Sequence, residues 1–272
     1  MHKIIIIFLL VFSIILIKMR MKQIENLSLL TYKDAKYYSL TNKWKCDLLV
    51  SEPNNNFIND FFQDNVQVIN LKTRPDKLKT IKTTLDKLNI NFNVFEAIKG
   101  VKICEYLKMG ETGCAQSHRA IWQSSLEKDA EWTLILEDDI VIPKGITQET
   151  FGWVLRECTF GFRDPFIIYF GHCGVDERKI DNYFFNKKDI YVSNCVATCM
   201  HAYAINKKVL KKLLDYSNDF CRAPIDIIMR QFSESYIDNI FCVSMKKYKL
   251  SKQEFGGGIV LQKRNTISDC SP

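Results

Sequence analysis

Residues 134–142 read LILEDDIVI, so six apolar residues, all Leu, Ile or Val, enclose three adjacent carboxylates at Glu137, Asp138 and Asp139. At an effective dielectric of about 20, two like charges ~4 Å apart repel by roughly 4 kcal/mol, and burial adds a desolvation penalty. In a strand, residues i and i+2 share a face, which puts Glu137 and Asp139 on one side and Asp138 on the other. Two acidic oxygen donors on one face, at the end of an apolar strand, suit a hard divalent cation such as manganese or magnesium. A plainer reading ends the strand at Leu136 and leaves the acids in a solvated turn. The triplet alone does not separate the two.

The elements that must hold these acids in place follow from periodicity. VQVINL at 66–71 reads as a strand, and Pro75 is well placed as the first residue of a helix running to Leu88. Leu78, Ile81, Leu85 and Leu88 recur every three or four residues and give that helix one apolar stripe. FNVFEAI at 92–98 is a second strand, followed by a loop with Gly100 and Gly110, a helix from Cys114 to Leu126, and the strand WTLILEDDIVI. PFIIYFG at 165–171, strands within 190–205, helices at 207–215 and 225–232 and a strand at 237–245 complete the pattern. Alternation of strands and helices predicts an α/β fold with a mainly parallel central sheet. Ligands in such sheets bind beyond the carboxyl ends of strands, where both Asn70 and Asp139 fall.

Composition bounds the function classes. The chain has 272 residues, 47% hydrophobic and 25% charged, which is ordinary for a globular protein and argues against disorder. A formal charge of +7 suits an anionic ligand or surface. No arginine-rich tract, zinc-finger or helix-turn-helix signature accompanies it, so no nucleic-acid partner is expected. From Ile4 to Ile17 the chain is apolar except for Ser13, and Lys18, Arg20 and Lys22 follow where a cleaved signal would carry small residues. Residues 1–22 are therefore expected to be an uncleaved signal anchor, of undecided orientation. SEPNNNFINDFF lies in a stretch without sustained period, and residues 23–65 read as a stem leading to a catalytic domain at 66–272. Ten cysteines occur with no Cys-x-x-Cys pair, which speaks against structural zinc. Disulfides and ordinary buried thiols both stay open. One Asn-x-Ser sequon, Asn26 to Ser28, carries little weight.

Six segments in order, VINLKTRPDKL, GETGCAQSHRAIW, LILEDDIVI, HAYAINKKVLKKLL, PIDIIM and LQKRNTISD, resemble glycosyltransferase family 25. That family includes lipopolysaccharide β-galactosyltransferases and procollagen galactosyltransferases. The resemblance covers about 66–272 and implies a GT-A-type nucleotide-diphospho-sugar transferase fold, a UDP-sugar donor, a divalent metal at the acidic motif and inversion at the anomeric carbon. Glu137 and Asp139 are then the metal ligands, manganese or magnesium, and Asp138 is available to ribose or sugar hydroxyls. Asp226, in PIDIIM, becomes the candidate base, although an Asp just after Pro224 also suits a helix start. Asn70 and Arg74 fall where uracil or phosphate would be held, with a solvated Arg74 as the alternative. His118 is placed to contact the diphosphate or donor sugar, or else is a structural histidine; Glu111 shares the donor side or caps its helix. Tyr203 reads as core. Gln262, Ser268 and Asp269 line the donor or acceptor side, with Lys263 and Arg264 adding positive charge.

Two departures from the family stand out. Gly256, Gly257 and Gly258 replace prolines before the closing segment, and Asn206 replaces a frequent serine at a helix start, where both cap well. The expected activity is a membrane-anchored, metal-dependent inverting transferase moving galactose from UDP-galactose to a glycan or glycoprotein acceptor. It would face the ER or Golgi lumen if type II, and otherwise the cytoplasm. The rivals are a catalytically inactive sugar- or protein-binding relative and a metal-dependent hydrolase.

Overall fold

A computed structural model describes residues 56–159, 164–173, 183–187, 190–245, 254–255 and 257–263. All of them belong to one unit, Pro53–Pro272. Its first strand, β1 (Val66–Asn70), is followed by α2 (Pro75–Asp86), with Pro75 at the first helical turn as expected. The chain continues through β2 (Asn93–Glu96), α3 (Met109–Leu126), β3 (Trp132–Glu137), β4 (Ile140–Val141) and α4 (Gln148–Thr159). Next come β5 (Ile167–Cys173), β6 (Tyr183–Lys187), β7 (Ile190–Asn194) and β8 (Thr198–Asn206). Helices α5 (Lys207–Tyr216) and α6 (Ile225–Ser235) then lead through a 3-10 turn to β9 (Ile240–Met245). The short strands β10 (Glu254–Phe255), β11 (Gly257–Gly258) and β12 (Leu261–Lys263) end the described chain.

The main sheet has the order β2-β1-β3-β8-β5-β9-β7-β6, with β11 added to β5. Strands β1, β2, β3, β5, β6 and β9 run one way and β7, β8 and β11 the other. The α/β architecture read from the sequence is thus present, with most strands sharing one direction. On one face α3, α5 and α6 cover Ile135, Tyr169, Tyr203 and Ile205. On the other, Phe151 of α4 packs on Phe170 with ring centroids 5.2 Å apart. A three-stranded sheet, β10-β12-β4, sits where the chain leaves β3.

Three sequence expectations change. The segment read as a stem contains α1 (Phe57–Phe62), whose Phe57, Ile58, Phe61 and Phe62 are buried, and Phe61 lies 6.0 Å from the ring of Trp132. The helix expected at Cys114 starts at Met109, because Gly113 is needed for contact rather than for a break. A Cβ there would stand 2.5 Å from the Ile98 carbonyl oxygen. The single-pass membrane anchor, with its membrane partner and lumenal or cytoplasmic placement, is also withdrawn. Among the described residues no helix is long and apolar enough to cross a membrane, and residues 1–22 lie outside that set.

The cysteine question resolves toward crosslinks. Cys104–Cys221, Cys173–Cys199 and Cys195–Cys242 form disulfides. The first ties the loop after β2 to the segment just before α6. The second joins the end of β5 to the start of β8.

Candidate active site at the acidic turn

The sheet register builds the site. β1 and β3 are parallel with Ile69 opposite Glu137, so the next residues, Asn70 and Asp138, leave the two strand ends side by side. The Asn70 amide donates to Asp138 Oδ2 at 2.6 Å and to the Arg74 carbonyl at 3.1 Å. Lys77, one turn into α2, brings Nζ to 3.5 Å from Asp138 Oδ1. Asp138 is therefore held by Asn70 and Lys77, away from its two acidic neighbours. Burial pushes its carboxyl above the ordinary value, and Lys77 and Asn70 oppose that rise.

β3 ends at Glu137, and Asp138 and Asp139 form the turn into β4. The strand pairing of β12 with β4 places Gln262 opposite Ile140. From there one amide nitrogen, Gln262 Nε2, donates to Glu137 Oε2 at 3.1 Å and to Asp139 Oδ1 and Oδ2 at 3.3 and 3.2 Å. Glu137 and Asp139 are thus drawn around a single donor, on the side expected from alternation, even though the strand breaks between them. Burial, and next the charge of Glu137, push the Asp139 carboxyl up to about 7, despite Lys77 and the Gln262 hydrogen bond. Glu137 is held below its ordinary value. Burial would raise it, but His118, His201 and Lys77 outweigh that effect.

His118 has no exposed surface. Its Nδ1 lies 2.9 Å from the Tyr203 hydroxyl, which also accepts from Trp122 Nε1 at 2.9 Å. Its Nε2 faces Glu137 Oε1 at 3.6 Å and has no hydrogen-bond partner among the described residues. Tyr203 is core, as read, but it also orients His118.

Asp226 lies in the first turn of α6, two residues past the cap position, which Pro224 occupies. Its carboxylate accepts from the Ile227 amide at 2.9 Å. Burial raises its pKa; the amides of Ile227 and Cys199 oppose this, and the charge of Glu137 adds to it. Cys199 has φ of 66°, a left-handed conformation rare for a non-glycine residue. Such backbones cluster at functional sites, and this one turns its amide toward Asp226.

Other expected residues go elsewhere. The Arg74 guanidinium pairs with Asp76 through Nε and Nη2, both at 3.2 Å, at the start of α2. Glu111 accepts from the Lys108 amide at 2.8 Å and caps α3, the second of its two expected roles. Ser268, Asp269 and Arg264 lie outside the described residues, as does Gly256. Lys77 was missed in the sequence. Its signal was position, because a lysine three residues after Arg74 on α2 returns to the end of β1. Cys173, Cys199 and His201 also cluster, but the first two are joined to each other and their sulfurs are committed.

The donor set fits a hard divalent cation. Two carboxylates converge on one amide, and the Asp139 carboxyl is raised by burial first and by the charge of Glu137 next.

Comparison with known proteins gives a family model, "Glycosyltransferase family 25 (LPS biosynthesis protein)", that matches residues 63–229. Procollagen galactosyltransferase 1-B of Xenopus laevis is 32% identical over 98 residues, which cover 28% of this chain and 16% of the frog protein. Lipooligosaccharide biosynthesis protein lic2B of Haemophilus influenzae is 26% identical over 164 residues, covering 54% of this chain and 60% of that protein. The matched stretch thus spans under two thirds of either relative. A solved glycosyltransferase involved in the glycosylation of the major capsid of PBCV-1 overlaps with a TM-score of 0.35 and 12% identity, covering 57% of this chain and 66% of that one. That overlap adds nothing to the geometry.

Proposed function

The chain belongs to glycosyltransferase family 25, and from that membership and the acidic turn we propose that it transfers a hexose, galactose, from a UDP-sugar to a hydroxyl of a glycan or glycoprotein acceptor. The observation that carries this reading is the convergence of Glu137 and Asp139 on Gln262 at the carboxyl end of β3. Ligands of open α/β sheets bind beyond the carboxyl ends of the strands, which is where the acidic turn lies.

Glu137 and Asp139 would hold manganese or magnesium. Bound there, the cation supplies Lewis-acid stabilisation of the charge that grows on the departing diphosphate. Gln262 sets the spacing of the two carboxylates, and His118 sets the orientation of Glu137. Asn70 and Lys77 keep Asp138 turned aside, where it would meet ribose or sugar hydroxyls. Asp226 acts as base. It takes the proton of the acceptor hydroxyl as that oxygen bonds to the anomeric carbon, on the face opposite the breaking carbon–phosphate-oxygen bond. UDP leaves with the bonding pair, and the configuration inverts. A pKa raised by burial strengthens Asp226 as a base.

Incubating the purified chain with a panel of UDP-sugars and manganese, and detecting UDP by mass, tests the reading. UDP-galactose should release UDP slowly without acceptor and faster with a galactosyl acceptor, the sugar being retained on it. Asp226→Asn should lower transfer at least a hundredfold while UDP binding persists. Absence of UDP release from every donor, with sugar-binding intact, would favour the inactive relative, and free sugar as the sole product would favour a hydrolase.

A further inference from the structure

Glu137 faces the proposed donor site through the oxygen that meets Gln262. Its other oxygen faces Cys114 and His118, of which only His118 has a part above, in orienting Glu137. α3 carries Cys114 and His118 four residues apart, so both project from one face of the helix. One donor atom each from Cys114, His118 and Glu137 lies within 4.8 Å of the others. Cys114 is half-buried and outside any disulfide. His118 Nε2 is the independent sign of a ligand. It is fully buried, lacks a hydrogen-bond partner among the described residues, and stands 3.6 Å from Glu137 Oε1.

The rest of the imidazole is arranged as metal-binding histidines are. A ligating histidine gives one ring nitrogen to the cation and fixes the other against an oxygen. Here Nδ1 meets the Tyr203 hydroxyl at 2.9 Å, and Trp122 Nε1 donates to that same hydroxyl. We propose that Cys114, His118 and Glu137 bind a thiophilic divalent cation, with zinc the best match. Thiolate and imidazole select zinc over magnesium or manganese. Three protein ligands leave the fourth tetrahedral position open. Tetrahedral bonds of about 2.0–2.3 Å require the donors to close by about 1 Å, which a rotamer adjustment at half-buried Glu137 supplies. This site is legible only in three dimensions, because the cysteine spacing contains no zinc pattern.

The consequence rests on the donor-site reading. Zinc bound here withdraws Glu137 from its partnership with Asp139, so zinc antagonises manganese. The binding itself does not depend on that reading.

The test uses the full chain, stripped with chelator and kept without reductant so that the disulfides persist. Cobalt serves as the spectroscopic probe and zinc as the calorimetric one. One equivalent of cobalt should give thiolate-to-cobalt charge-transfer absorption and tetrahedral visible bands. Both should vanish in Cys114→Ser, and zinc affinity should fall at least tenfold there and in His118→Gln. Zinc should also protect Cys114 from maleimide in the unmodified protein, read on its peptide by mass, which needs no variant to fold. In the activity arm, zinc should suppress manganese-dependent UDP release from the parent chain and not from Cys114→Ser. Charge-transfer absorption that survives Cys114→Ser, or maleimide labelling of Cys114 unchanged by zinc, overturns the proposal. If UDP release is absent without zinc while the cobalt spectrum appears, the donor-site reading fails and this one stands.

Discussion

At the residue scale, the acidic turn is a place where charges are crowded on purpose. With Asp139 pushed up to about 7 by burial and by Glu137, a proton occupies the pair through much of the neutral range. A cation must displace it, so manganese affinity should fall about tenfold for each pH unit below 7 and level off above it. Calorimetry in buffers of different ionisation enthalpy should show about one proton released per manganese at pH 6 and almost none at pH 8.5. His172 makes the opposite kind of contribution. Burial, reinforced by the neighbouring charge of His201, lowers its pKa to about 4, against the hydrogen bond that its ring donates to the Val243 carbonyl, which favours the charged form. The folded chain keeps His172 neutral where the unfolded chain takes a proton below about 6.5. Its stability contribution is therefore complete above pH 6.5 and lost as pH falls to 4, amounting to about 3 kcal/mol. His172→Gln should flatten the fall in Tm between pH 6.5 and 4.5 followed by circular dichroism; an unchanged slope would assign it to other groups.

At the element scale, α3 shows how a close approach can look like a loop. Gly110 and Gly113 each weaken a helix by about 1 kcal/mol relative to alanine, which is why periodicity began the helix at Cys114. The structure spends Gly113 on contact with the Ile98–Gly100 backbone, and Ser117 Oγ seals it by accepting from the Ile98 amide at 2.8 Å. Gly113→Ala should therefore destabilise, although alanine is the better helix former. Overpacking of this kind costs about 1–3 kcal/mol, and Tm should drop by roughly 2–10 °C. The reverse sign would mean that the loop gives way freely. Much else at this scale was readable, including Pro75 opening α2 and the strand β1, because each rests on local pattern. The break between β3 and β4 was one of two open readings, and local pattern did not decide it, since β4 pairs with β12, which arrives from over a hundred residues away. Helix α4 carried a visible signal in Phe151, Val154, Leu155 and Cys158 at helical spacing, all of them buried. The local partners of Glu111 and Arg74, only two or three residues away, match the capping and solvated alternatives that the sequence had left open.

At the scale of the whole molecule, the boundary of the folded unit lies earlier than composition suggests. Asn and Pro around residues 53–56 resemble a linker, yet the next turn buries Phe57, Ile58, Phe61 and Phe62. At about 1.5–3 kcal/mol for each such side chain, they contribute roughly 6–12 kcal/mol, comparable to the entire stability of a domain. A chain begun at residue 53 should unfold cooperatively in urea, and one begun at residue 66 should be insoluble or lack a cooperative transition. A cooperative, equally stable shorter chain would return α1 to the role of a stem.

The account turns on one junction, where Glu137 and Asp139 meet at the end of β3. Calorimetric titration of the chain with UDP, with and without manganese, addresses it directly. UDP affinity should rise at least tenfold with manganese, and Asp139→Asn should abolish that gain while leaving the far-ultraviolet spectrum unchanged. UDP that binds equally well without manganese, or a manganese gain that survives Asp139→Asn, would contradict it.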